Sequence, residues 1–229
     1  MNKTLNKKKK KEKSDSEDEQ EEKKVVKKLV SGFDRGVTFL TIKEQLIKEH
    51  KNMMANINDK VKNDKPIKVL TNKIIYLTIA QIQLANGSRI SEAIDAIKEF
   101  IENGTKEKVI VKLAKSHTVK VINGKTVETK TRYRNIAYPN WWPLNTSLIK
   151  DSDSLNNDTL RMSSFHYLHK NFKCNTHSLR YAFINHMIYH EKKEPALIAK
   201  FVGHSNLNQI IRYTQHVESE KLFDDIIKG

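Results

Sequence analysis

The chain has a single cysteine, Cys174, among its 229 residues. That excludes an intramolecular disulfide framework and any zinc site built from several thiolates. Seven glycines and four prolines are too few for a collagen-like or proline-rich low-complexity chain. No apolar run approaches the ~18 residues that a membrane span needs. The N-terminus is rich in lysine and lacks the apolar core of a secretory signal. Also missing are a Walker-type glycine loop for nucleotide phosphates and a carboxylate cluster for two-metal chemistry. Together these absences predict a soluble intracellular protein without a metal or nucleotide cofactor.

What the chain does have is positive charge. Lysine and arginine number 42 against 27 acidic residues, a formal net charge of +15. Residues 1–30 hold +4 of this and the rest +11, so the surplus belongs mainly to the body. The length suits one large domain or two small ones, enough to bury a core. A body this basic most often meets a polyanion, usually nucleic acid. The plainer account is charge kept for solubility.

Lys7-Lys8-Lys9-Lys10-Lys11 and the acidic run Glu17-Asp18-Glu19 stand in a stretch with almost no apolar residue. Residues 1–32 are therefore expected to be a disordered charged tail, serving as a DNA-contacting arm, a nuclear import signal or a solvated extension. Periodicity starts near Phe33. Ile42, Leu46, Ile47, Met53 and Met54 predict an amphipathic helix over about 40–62. Pro66 opens a second, to about Leu84, with Leu70, Ile74, Ile75, Leu77, Ile79 and Ile82 inward. Asn86-Gly87 stops it, and Ser91 caps a third, over Glu92 to Ile101. Val109–Val111, Thr118–Ile122 and Thr126–Tyr138 read as strands, with Asn123-Gly124 as a tight turn. After Pro143 come a polar connection and helices near 157–171, 177–190, 194–202, 207–213 and 217–227. The predicted class is α+β and mainly α-helical: one domain over 33–229 with a small antiparallel sheet.

Several residue types then converge. His177 and Arg180 lie three apart on a predicted helix and share a face. Gly203-His204 follows a short helix, and Tyr213 comes nine residues after His204. Arg89 stands upstream in Asn86-Gly87-Ser88-Arg89. Two forked guanidiniums, two imidazoles and a phenol suit a phosphate diester better than a carbonyl. Singly, each has a duller account: Arg89 as a surface ion pair, His177 as a helix cap, Tyr213 as a packed aromatic.

Taken together they resemble the tyrosine recombinases, the phage integrase family. Thr176-His177-Ser178-Leu179-Arg180-Tyr181 resembles that family's His-x-x-Arg box. Val202-Gly203-His204 followed by Ile211-Arg212-Tyr213 looks like its Gly-His motif and nucleophile. Asn86-Gly87-Ser88-Arg89-Ile90-Ser91-Glu92 is similar to its first arginine box, where Thr-Gly is commoner than Asn-Gly. The resemblance covers about 65–216.

It implies the family's catalytic domain and a site-specific recombination that cleaves and rejoins DNA without metal or ATP. Arg89, Arg180 and His204 would hold the scissile phosphate. His177 would assist proton transfer from Tyr213, whose oxygen would attack phosphorus to leave a 3′-phosphotyrosine and a free 5′-hydroxyl. The family's leaving-group lysine lies in its β-hairpin, where Lys130 matches best, ahead of Lys125 and then Lys120. Glu92 would orient the Arg89 junction or cap its helix. Implied partners are double-stranded DNA and a homotetramer on it, with a virus or mobile element as source and room for an accessory DNA-bending protein. Ser219–Ile227 would be a segment exchanged between protomers, or a helix folded on its own domain.

The chain departs from the family in having only about 40–85 ahead of the first box, where relatives carry a helical clamp domain. A minimal recombinase, a catalytic fragment or a clamp supplied by another protein would each fit. A type IB topoisomerase and a non-catalytic DNA-binding relative are the competing readings. Trp141-Trp142 is expected to pack rather than stack on bases.

Overall fold

The computed structural model describes residues 37–104, 107–114, 119–122, 125–128, 131–150, 157–204, 207, 208 and 210. The expected tail over 1–32, the expected helix over 217–227, and Lys130 and Tyr213 all lie outside these residues.

Helix α1 (Phe39–Lys62) opens where the Thr38 hydroxyl accepts the Thr41 backbone N–H at 3.3 Å. Its buried stripe is Ile42, Leu46, His50, Met53 and Ile57, a repeat of three to four residues that keeps one face on the core. Helix α2 (Lys68–Asn86) is different. Ile74, Ile75, Leu77, Ile79, Ile82 and Leu84 are all buried. Buried on nearly every side, with Thr78, Gln81, Gln83 and Asn86 enclosed as well, it is the central post of the fold. Around it pack α1, α3 (Ile90–Asn103), α5 (Asn157–Phe172) and α6 (Thr176–Asn185). Pro66 stands just before the cap, Ile67, rather than within the first turn.

The predicted third strand is in fact two. Strands β2 (Val119–Ile122) and β3 (Lys125–Glu128) form an antiparallel pair in which Ile122 faces Lys125 across the Asn123-Gly124 link. Strand β4 (Tyr133–Ala137) leaves that pair and returns to β1 (Lys108–Lys112), with Val111 opposite Arg134 and Val109 opposite Ile136. Thr126–Tyr138 thus serves two separate two-stranded sheets. The β1–β4 ladder abuts the helical core, with Val109, Val111 and Ile136 buried against it.

Two further segments depart from expectation. The connection after Pro143 contains a one-turn helix, α4 (Thr146–Lys150), seated by the buried Ile149. It is too short for periodicity to reveal. The helix expected over 177–190 stays α-helical only to Asn185. His186–His190 widen into a π-helical turn, with His186 stacked on Phe39 at 4.3 Å. Helix α7 (Pro195–Phe201) follows, with Pro195 in its first turn.

The tryptophan pair packs. Trp142 is buried and its indole N–H donates to the Thr78 hydroxyl at 3.0 Å; that of Trp141 donates to Gln81 Oε1 at 3.0 Å. No described helix is long and apolar enough to cross a membrane.

Candidate active site

Three turns meet at one end of α2. The first is the α2–α3 junction. Gly87 closes α2 at φ 55°, a conformation that costs other residues about 1–2 kcal/mol. It has a second constraint, since an added Cβ would overlap the Phe183 ring and lie 2.9 Å from Val202 Cγ1. Asn86 joins this turn to the sheet. Its side chain donates to the Ala137 carbonyl and accepts the Ala137 N–H, each at 2.9 Å. An asparagine at this place in the box therefore acts as a strand mimic.

Arg89, not Ser91, occupies the cap position of α3. Glu92, in the third helical position, accepts the Arg89 backbone N–H at 3.1 Å and its guanidinium at 3.0 Å. The two roles expected for Glu92, orienting and capping, are thus both filled by one carboxylate. It is fully buried, whereas the Arg89 side chain is 23% exposed.

The second turn starts α6. Asn175 Oδ1 accepts the backbone N–H groups of His177 and Ser178 at 2.9 Å, and the Ser178 hydroxyl accepts the Asn175 N–H at 3.3 Å. This reciprocal box places exposed His177 in the first turn, its ring edge-on to Tyr181 at 5.3 Å. One turn further in, Arg180 is 1% exposed.

The third turn ends α7. The His204 N–H donates to the Ala199 carbonyl at 2.8 Å and the Gly203 N–H to that of Lys200 at 3.2 Å. That pair of bonds is a Schellman motif, which calls for a left-handed residue in the place where Gly203 stands, at φ 74°. A Cβ there would lie 2.5 Å from Leu113 Cδ2. The Gly-His pair is therefore a helix stop pressed against the residue after β1.

Arg180 ties the three turns together. One guanidinium nitrogen donates to the Gly87 carbonyl and the other to the Val202 carbonyl at 2.9 Å. Gln83 adds a parallel link, its amide donating to the carbonyls of Ser88 at 3.2 Å and Thr176 at 3.3 Å. His204 sits in the field of the others. Burial first, and then the charges of Arg180, Arg89 and His177, push its imidazole down to about 3. It is neutral at pH 7, with one N–H to donate.

Sequence reasoning missed Arg134. It belongs to β4 and is buried, donating to the Asn86 carbonyl at 2.8 Å and pairing with Glu92 at 3.5 Å. Burial lowers it to about 10, Glu92 pulling it back up while Arg180 and Arg89 push it further down. Its signal was alternation: on an inward-outward strand, Arg134 shares the inward side with Ile136. Two guanidiniums, Arg89 and Arg134, thus share the buried Glu92 carboxylate, and with Arg180 nearby the positive charge exceeds the negative, an arrangement suited to receive an anion. Among the described residues, no three His, Cys, Asp or Glu gather as a metal site. Lys120 and Lys125 lie on the β2–β3 pair.

No family model matches the chain. In sequence it is 36% identical over 208 residues to "Putative integrase V10" of Sputnik virophage, across 86% of this chain and 91% of that protein. It is 34% identical over 188 residues to "Putative integrase ORF241" of Acidianus two-tailed virus, across 82% of this chain and 66% of that protein. Among solved structures, the XerH site-specific recombinase bound to its palindromic difH substrate, a post-cleavage complex, is similar over 78% of this chain and 51% of that one. Its identity is 17% and its TM-score 0.42, too loose a likeness to bear on the fold. On its sequence relatives the chain belongs to the family of these viral integrases, and its three boxes, in order, resemble those of the tyrosine recombinases.

Proposed function

We propose that this protein is a site-specific DNA recombinase that cleaves and rejoins double-stranded DNA through a covalent 3′-phosphotyrosine. The observation that carries the reading is the Arg180 guanidinium bridging the Gly87 carbonyl, two residues before Arg89, and the Val202 carbonyl, two residues before His204, which draws the three boxes to one place. A phosphodiester transition state gathers charge on its non-bridging oxygens, and hydrogen-bond donors fixed in advance, charged or neutral, lower it more than they lower the ground state. In this reading Arg89, Arg180 and His204 serve those oxygens.

Tyr213 is the nucleophile. A phenol of ordinary pKa near 10 needs a base and neighbouring cations at neutral pH, and His177 is the base. The phenolic oxygen bonds to phosphorus, the bond to the 5′-oxygen breaks, and Lys130 protonates that leaving oxygen. The phosphotyrosine keeps the bond energy, and attack by a 5′-hydroxyl reverses the step, so no ATP is consumed. The basic surplus of the body supplies further phosphate contacts. Assembly as a homotetramer on DNA, with or without a DNA-bending partner, belongs to the same proposal.

The test is a nicked suicide substrate, from which the short fragment bearing the freed 5′-hydroxyl diffuses away. The expected product is a protein–DNA adduct that survives denaturant and is missing with Tyr213→Phe. An adduct formed equally by Tyr213→Phe would overturn the mechanism.

A further inference from the structure

Arg134 is buried deeply enough to need a reason. As packing, an apolar residue would fill its place at no desolvation cost. Instead its guanidinium reaches two elements at once. One nitrogen donates to the Asn86 carbonyl at 2.8 Å, where α2 ends, and the other meets Glu92 Oε2 at 3.5 Å, where α3 begins. Arg89 stands between these two anchor points. On its remaining side the Phe201 ring, last in α7, lies 5.2 Å from the guanidinium carbon.

The Glu92 carboxylate is saturated. Oε1 accepts the Arg89 guanidinium at 3.0 Å and the Ala114 N–H at 3.3 Å; Oε2 accepts the Arg89 N–H at 3.1 Å and Arg134. Arg89 alone, partly exposed, would have to counter this buried negative charge and would be held by it. With Arg134 sharing the carboxylate, two guanidiniums face one anion, and positive charge is left over for a second anion.

We propose that Arg134 is a positioning residue for Arg89: from β4 it clamps the Asn86 carbonyl and the Glu92 carboxylate, and so sets the turn from which Arg89 meets the phosphate. The catalytic half of this inference rests on the recombinase reading; the structural half stands without it.

Arg134→Met keeps length and removes the charge. Two measurements on the full chain test the proposal. In amide hydrogen exchange, the Arg89 and Ala114 N–H groups, both bonded to Glu92, should exchange about tenfold faster or more, while amides inside α2 keep their protection. In single-turnover cleavage of the suicide substrate, the maximal rate should fall by roughly 10- to 100-fold, with the half-saturating DNA concentration unchanged. Arg134→Lys should recover part of both losses, because one ammonium cannot hold both acceptors in the guanidinium's geometry.

Unchanged protection at Arg89 and Ala114 would overturn the proposal, as would an even rise across all amides or cleavage at the unmutated rate. If Arg134→Met does not fold, Arg134→Lys carries the same two measurements with the same reading. If the unmutated protein forms no adduct, the recombinase reading fails, and hydrogen exchange still decides whether Arg134 sets the Arg89 turn.

Discussion

The guanidinium of Arg180 donates to the carbonyl of Val202, twenty-two residues further along the chain, at 2.9 Å. The same side chain holds the Gly87 carbonyl ninety-three residues back. An arginine assigned to phosphate binding is thus also the brace between the first arginine box and the Gly-His turn.

Replacing Arg180 with Lys should therefore do two things. Cleavage should fall by roughly 100-fold or more, since an ammonium cannot reproduce the fork. Stability in urea should fall by about 1–3 kcal/mol, because a buried carbonyl loses its donor. Arg89→Lys should lose a similar amount of cleavage and much less stability, its side chain being 23% exposed. An Arg180→Lys protein as stable as the original would show that the brace is unimportant.

Gly203→Ala tests the helix stop. A left-handed alanine costs about 1–2 kcal/mol, and the new Cβ would press on Leu113 at 2.5 Å. We expect a larger loss than from Gly104→Ala, also at positive φ but with open space around it. Equal losses at the two glycines, measured by chemical unfolding, would mean that Leu113 yields without cost.

Acid stability should report on His204. Its folded pKa, about 3, lies below the ordinary 6.5. From pH 6.5 down to about 3 the unfolded chain therefore binds a proton that the folded one refuses, and stability drops as pH falls. The slope from this group is at most about 1.4 kcal/mol per pH unit. His50 and His186, also lowered by burial, add to it in the same direction. In His204→Asn the loss of stability between pH 7 and 5 should be smaller by His204's share, with the other two unchanged. An identical pH profile in the variant would place the imidazole in water.

The leaving-group acid can be identified with a substrate whose bridging 5′-oxygen is sulfur. A thiolate departs without a proton, whereas an alkoxide needs one, so losing the donor costs about 10²–10⁴-fold on ordinary DNA only. Lys130→Ala should be slow on ordinary DNA and near the original rate on the thio substrate. Lys125→Ala and Lys120→Ala should be little changed on either. Rescue of Lys125→Ala instead would move the acid to the start of β3 and leave the recombinase reading intact.

By itself the sequence determined the long helices α1, α2, α3 and α5 and the places of the boxes. Ile42, Leu46 and Met53 mark one face of α1, Gly87 marks the end of α2, and Gly203-His204 marks the stop after α7. These signals are local, since helix period and left-handed glycines are written within a turn or two of chain. The expected packing of the Trp141-Trp142 pair also holds, with both indole N–H groups bonded to α2. Tertiary structure alone decided that Thr126–Tyr138 divides between two ladders, that Arg180 spends its fork on two carbonyls, and that Arg134 belongs to the site. The partners of Arg134 lie 42 and 48 residues away, and those of Arg180 22 and 93. No periodicity spans such distances. Which acceptor each buried guanidinium meets is settled only when β4, α3 and α6 close around the buried post of α2, because burial there leaves Arg134 and Arg180 almost no water and only those neighbours to bond.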